Sequence, residues 1–279
     1  MTPNATCICC GSTRFALLIQ GHNHNGSLPG KSVEFRVWRC QTCGLGMTDP
    51  QLTLHQSTTQ PSSADAPSLP ACYEDDISHV ASSTYRCLRL KPYLYPTSRV
   101  LELGCSTGKL VELVAQCGVA ESVGVEISLP EARYGQQCHR NIKTTYLQDC
   151  HFPDQYFDII QAHHVLEHIP DLIEVVQDVA RILKRGGIFY VTVPRYTSWF
   201  ARSPEWMGWF PQEHRWHFTE HSLTRLLSQH GFKRISYCCP LTNNFLTRRD
   251  ALYLLKRGLK AAISGLNLGD TVEAMFVKS

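Results

Sequence analysis

Two short turns near the start of the chain share one pattern: Cys7-Ile8-Cys9-Cys10 followed by Gly11, and Cys40-Gln41-Thr42-Cys43 followed by Gly44. A Cys-x-x-Cys turn presents two thiolates together, and the trailing glycine lets backbone amides close around the sulfurs. Two such turns complete a closed tetrahedral zinc site, with Cys7, Cys10, Cys40 and Cys43 as ligands. Cys9 competes with Cys10, and the neighbouring Gly11 favours Cys10. Of the thirteen cysteines, others such as Cys105, Cys117, Cys138, Cys238 and Cys239 have no ligand spacing and read as small core residues.

The stretch VLELGCSTGKLVELV, residues 100–114, opens as an apolar alternation, breaks at Gly104 and Gly108, and resumes with apolar residues at helical spacing. A strand that bends at glycine into a helix points unpaired N–H groups at whatever lies above the sheet edge, so the turn reads as a ligand site. It is not a dinucleotide fingerprint, because Ser106 stands where the second glycine belongs. Nor is it a phosphate-binding P-loop, because three residues separate the glycines and Leu110 follows Lys109. Two acids flank it, Glu102 before the turn and Glu126 at the end of the next strand-like run.

A third group is histidine-rich. In AHHVLEHIPD, His164, Glu167 and His168 spell H-x-x-E-H, the inverted zinc-protease motif. That motif needs a regular helix through both histidines, which Pro170 disfavours by holding its predecessor extended. His163, His164 and His168 are instead candidate general bases, with an unperturbed imidazole pKa of about 6.5 suited to proton transfer. The structural alternative is that Glu167 and His168 hydrogen-bond the loop.

These groups need elements to hold them. VEFRVWRC alternates Val33, Phe35 and Val37 as a ribbon hairpin does, giving a zinc-ribbon module over 1–50. Residues 51–70, rich in Ser, Thr, Pro and Gln, read as a linker. A leading helix follows, and then strands and helices alternate across 71–279. Strands are expected near 99–103, 122–126, 143–147, 157–162, 187–193, 233–238 and 271–277. DLIEVVQDVARILKRGG reads as a helix closing on Lys184, Arg185 and Gly186. The alternation predicts a mostly parallel seven-stranded α/β sheet with helices on both faces, behind the small zinc ribbon.

With this layout, Glu102-Leu-Gly104-Cys-Ser106-Thr-Gly108 resembles the first motif of the class I S-adenosylmethionine-dependent methyltransferases, with Ser106 in place of the middle glycine. The resemblance covers about residues 71–279, and FDIIQAHHVLEHIPD and HFTEHSLTRLLSQHGF are its most family-like later segments. It implies a Rossmann-like fold and S-adenosylmethionine as cofactor. Glu102 would reach the methionyl amino group, Glu126 the ribose hydroxyls, and Asp149 the adenine amine. Gly104, Cys105, Ser106, Gly108, Ile127 and Cys150 would line the site, and Tyr73 would cover the cofactor carboxylate. A ribbon in front recurs in members acting on sugars or other small metabolites, so the expected partner is a small-molecule acceptor. Methyl transfer is an in-line displacement, for which the protein supplies alignment and a base. The rival reading is an RNA-modifying or RNA-binding protein gripping nucleic acid through its ribbon. The ribbon carries only Arg14, Lys31, Arg36 and Arg39, and no N/D-P-P-Y/F motif follows the fourth strand, so no nucleic acid is expected.

Composition agrees with a small partner. A net charge of +3 with 18% charged residues gives no strong field for nucleic acid or membrane. No run approaches the roughly 20 apolar residues of a membrane span, and MTPNATCICCG lacks a signal-peptide core, so a cytoplasmic location is expected. The stretch from 195 to 218 holds four of the five tryptophans. It reads either as a flap covering substrate or as one packed on its own domain or the ribbon. Residues 244–266 place Leu252, Leu255, Leu259, Ile263 and Leu266 on one stripe, an insertion suited to a lid or a homodimer contact.

Overall fold

The structure, a computed structural model, describes residues 5–23, 33–49, 77–241 and 264–279. The expected linker at 51–70, Tyr73, and the insertion from 244 to 263 lie outside the described residues.

The N-terminal elements are β1 (Phe15–Asn23), β2 (Val33–Cys40), β3 (Gly46–Thr48) and α1 (Ile77–Leu90). Then come β4 (Arg99–Leu103), α2 (Lys109–Ala115), β5 (Glu121–Val125), α3 (Leu129–Gln137), β6 (Ile142–Lys143) and β7 (Phe157–His163). The chain ends with α4 (Leu172–Ile182), β8 (Leu183–Pro194), β9 (Trp216–His217), α5 (Glu220–Ser228), β10 (Phe232–Cys238) and β11 (Thr271–Lys278).

Seven strands form one sheet in the order β10-β11-β8-β7-β4-β5-β6. β4 runs parallel to β5 and β7, and β5 parallel to β6. Strands covered on both faces carry near-continuous apolar runs, and Leu101, Val123, Ile159 and Ile160 are buried accordingly. With helices between strands, this is the expected Rossmann-like α/β fold. Among the described residues no helix is long and apolar enough to cross a membrane.

Two expected boundaries shift. β6 is only Ile142–Lys143. The helix after β7 buries Leu172, Val175, Val176, Val179 and Ile182 but stops there, and Lys184, Arg185 and Gly186 open β8 instead of closing α4. Gly186 takes a left-handed φ of 74°, and Leu183 is already buried, so tertiary packing overrides the helical propensity of the Lys-Arg pair.

The chain divides into two compact units. The first draws on Met1–His55, His164–Ile173 and Val191–Phe276. Here β1, β2, β3 and β9 form a second sheet, with Met47 paired to Trp216 and Gly46 to His217. Phe35 and Val37, on the buried face of β2, cluster with Tyr196, Ala201, Trp206 and Trp209. The aromatic stretch therefore packs on the ribbon strands. Trp209 is 1% exposed, whereas Trp199 is 70% exposed. A small ribbon leaves one apolar face bare, and indole rings cover the most area per residue. The second unit draws on Gln56–His163, Glu174–Tyr190 and Val277–Ser279. It contains β4, β5 and the turn between β4 and α2.

Candidate functional site

In the second unit the turn after β4 is held from several directions. Gly104 N and Cys105 N both donate to Val125 O, at 2.8 and 3.2 Å. Arg140 Nη1 donates to Thr107 O at 2.9 Å. Gly108, at φ 76°, caps α2 so closely against β6 that a Cβ there would lie 2.7 Å from Ile142 Cδ1. Glu126 takes the Ser106 amide on Oε2 at 2.8 Å and the Ser128 amide on Oε1 at 2.7 Å. The second acid thus fastens the turn, and each of its oxygens keeps a second lone pair for a ligand. Cys105 points inward, clustering with Val111, Ala132 and Ile142.

Beside this turn several buried polar atoms go unanswered. Glu102 is 4% exposed; its Oε1 accepts from Arg86 Nη1 at 2.6 Å while Oε2 has no hydrogen-bond partner among the described residues. Burial outweighs the Arg86 charge and pushes the Glu102 carboxyl up to about 7. Gln161 pairs with Glu102 in register across β7 and β4, is 0% exposed, and has both amide atoms unpartnered among the described residues. Ser106 Oγ and Thr107 Oγ1 have no partner among the described residues either. Each such atom costs about 1–3 kcal/mol. A ligand bearing an ammonium, a carboxylate and hydroxyls answers this donor and acceptor set, and S-adenosylmethionine has all three. Asp149 and Cys150 lie in the short helix Gln148–Cys150, and Ile127 is exposed.

In the first unit the two cysteine turns meet. Cys7 Sγ lies 3.5 Å from Cys43 Sγ, Cys10 Sγ lies 3.5 Å from Cys40 Sγ, and all four sulfurs fall within 4.8 Å of one another. Zinc–sulfur bonds of about 2.3 Å in a tetrahedron set sulfurs about 3.8 Å apart, so the four fit zinc. Gly11 and Gly44 take φ of 70° and 77°, and Gly11 N and Gly44 N donate back to the Cys7 and Cys40 carbonyls at 2.9 Å. Cys9 is buried outside this set.

The histidine segment after β7 is a loop of turns, so the helix a protease motif requires is absent there. His163 is the last residue of β7. His164 Nδ1 lies 3.0 Å from Glu167 Oε1. Burial of Glu167 is outweighed by that hydrogen bond and by the charges of His164, His168 and His214, which hold its carboxyl down at about 2. The Glu167 carbonyl accepts from Arg215 N and Trp216 N at 2.8 and 3.2 Å. This clasp brings up His214, whose ring lies 4.6 Å from that of His168, edge to face. Burial first, then the His168 charge, depresses His214 to about 4; burial likewise takes His217, which touches Thr48 Oγ1 at 2.8 Å, to about 3. His214 and His217 lie in the tryptophan-rich stretch 195–218, and nothing in their spacing joins them to Glu167. Their one signal was the H-x-x-H spacing beside the tryptophans.

A family model described as a methyltransferase domain matches residues 79–237. A ubiquinone biosynthesis O-methyltransferase of Proteus mirabilis is 34% identical over 113 residues, 37% of this chain and 45% of that protein. The protein of the same description from Yersinia pestis strain Pestoides F is 30% identical over 110 residues, 36% of this chain and 45% of its own length. The match thus spans less than half of these relatives. Among solved structures, an S-adenosylmethionine-dependent methyltransferase of Mesorhizobium loti has TM-score 0.52 and 16% identity, over 68% of this chain and 96% of that one. A second, from Archaeoglobus fulgidus, has TM-score 0.50 and 21% identity, over 71% of this chain and 94% of that one.

Proposed function

This chain belongs to the class I S-adenosylmethionine-dependent methyltransferases, and we propose that it methylates a hydroxyl of a small-molecule acceptor, a sugar or another metabolite. The observation that carries the cofactor assignment is the set of unanswered buried polar atoms around the glycine turn: Glu102 Oε2, Ser106 Oγ, Thr107 Oγ1 and the Gln161 amide. The hydroxyl is supported by the O-methyltransferase relatives. We read residues 1–50 as a structural zinc module, 71–279 as the catalytic domain, and the cytoplasm as its location.

Bound at the turn, S-adenosylmethionine supplies a methyl already activated on a sulfonium. Glu102, held by Arg86, accepts from the cofactor amino group, with Gln161 beside it. Glu126 accepts from the ribose hydroxyls on the lone pairs its loop bonds leave, and Asp149 from the adenine amine. His164 takes the acceptor proton. Its Nδ1 donates to the buried Glu167 carboxylate, which fixes the ring and stabilises the imidazolium that proton uptake forms.

The test separates binding from chemistry. In steady-state assays of methyl transfer from labelled cofactor, His164→Ala lowers kcat by about 10²–10⁴-fold, while calorimetry gives an unchanged Kd for S-adenosylhomocysteine. Full turnover in the variant removes His164 as the base. Failure of the wild-type protein to bind S-adenosylhomocysteine removes the cofactor assignment.

A further inference from the structure

Among the described residues of the first unit, one set of side chains besides the four cysteines has the makings of a metal centre. Glu167, His168 and His214 each offer one ligand atom, and these three atoms lie within 4.8 Å of one another. We propose that these residues bind a divalent transition-metal ion of the zinc or ferrous kind through two imidazoles and one carboxylate, leaving a coordination position open to an oxygen ligand.

Each ligand is prepared in a way that a hydrogen-bonded loop does not require. Glu167 is fully buried; its Oε1 meets His164 while Oε2, also buried, has no hydrogen-bond partner among the described residues. A buried carboxylate with a bare oxygen is costly unless a cation answers it. His214 Nδ1 lies 2.9 Å from the Gly208 carbonyl, which only accepts, so Nδ1 carries the hydrogen and Nε2 carries the lone pair. Metal-ligating histidines are oriented by such a bond on the other nitrogen. The backbone is pinned on both sides: the Glu167 carbonyl takes two amides from 215 and 216, and Thr48 Oγ1 donates to the His214 carbonyl at 2.9 Å. His168, about a third exposed, is the least constrained of the three, with Glu213 3.9 Å away, and its ligand nitrogen already stands with the other two ligand atoms.

Nitrogen-rich sites with one carboxylate select zinc or iron over magnesium, which prefers oxygen. An acceptor hydroxyl on the open position would lose its proton more readily; that consequence rests on the methyl-transfer reading, whereas the site itself does not.

The experiment uses the full chain with its cysteine site filled by zinc and weakly held metal removed, titrated with Co²⁺ alone. One equivalent is expected to bind with visible d–d bands and no thiolate charge-transfer band. His168→Ala and His214→Ala should each weaken that equivalent at least tenfold; His168, being part-exposed, covers the case in which the buried His214 variant fails to fold. No binding, a thiolate band on the added cobalt, or an affinity unchanged in both variants overturns the proposal. Because the titration involves no cofactor, its failure leaves the transferase reading standing. Conversely, loss of S-adenosylhomocysteine binding leaves the metal result standing.

Discussion

The glycine turn of the second unit and the histidine centre of the first are built in opposite ways. The turn is assembled almost entirely from one continuous run, with Glu102, Ser106, Thr107 and Glu126 inside 25 residues of chain. The histidine centre draws Thr48, Glu167 and His214 together from three distant segments. A site folded from contiguous sequence shows its geometry in spacing; one clasped together by remote amides shows only the types of its parts. The first kind tolerates loss of a side chain as a local event. The second depends on the packing that brings its segments together.

That contrast is broken or sharpened by substitution. The largest effect is expected for Cys40→Ser, since structural zinc sites contribute on the order of 10 kcal/mol to the folding of small modules. Metal analysis should show the cysteine-bound zinc lost, and limited proteolysis should cut first within the ribbon. A folded, metal-free protein would end the zinc assignment. Next comes Trp209→Ala, expected to cost about 3–5 kcal/mol of stability in denaturant unfolding because the indole fills the cluster with Phe35, Tyr196 and Trp206. If the variant instead kept its stability and raised only the acceptor KM, the aromatic stretch would be a substrate wall after all.

Glu126→Ala is expected to weaken S-adenosylhomocysteine by about 1.5–3 kcal/mol, or 10–150-fold, in calorimetry. The loss combines the ligand contact with release of the Ser106 and Ser128 amides. An unchanged Kd would mean that the carboxylate serves the loop alone. The smallest effect is one of pH. The Glu102 carboxyl titrates at about 7, so it is mostly protonated below and mostly charged above. Affinity for the cofactor ammonium should therefore rise as pH increases from 6 to 8, by at most about tenfold. A flat profile across that window would show that Glu102 does not receive the amino group.

The central strands were legible because buried parallel strands such as β4, β5 and β7 are nearly continuous apolar runs, and β10 because it alternates buried and exposed residues; these and β11 fall within a residue or so of their expected places. The cysteine set was legible because two identical turns carry their own geometry. Other features were not. The α4–β8 boundary was obscured by Lys184 and Arg185, which favour a helix end locally while the sheet claims Leu183. Gln161 passed unnoticed, although a polar residue within FDIIQA is itself a signal: an amide in the middle of a buried strand has to serve something. Arg86, the partner of Glu102, was one basic residue among several in a leading helix. The packing of Trp206 and Trp209 on Phe35 depends on contacts that no local pattern encodes.

The ribbon's fourth strand has a consequence for the order of events in synthesis. Trp216 pairs with Met47 across more than half the length of the chain. At about 5–20 residues per second, the ribosome takes on the order of ten seconds or more to deliver β9 after β3 has emerged. During that interval the four cysteines are already available to metal, while the apolar face of β2 still waits for its tryptophans. If the four cysteines take zinc, its early capture would hold the nascent hairpin in register until the cover arrives, giving the ion a role in the timing of folding as well as in its outcome.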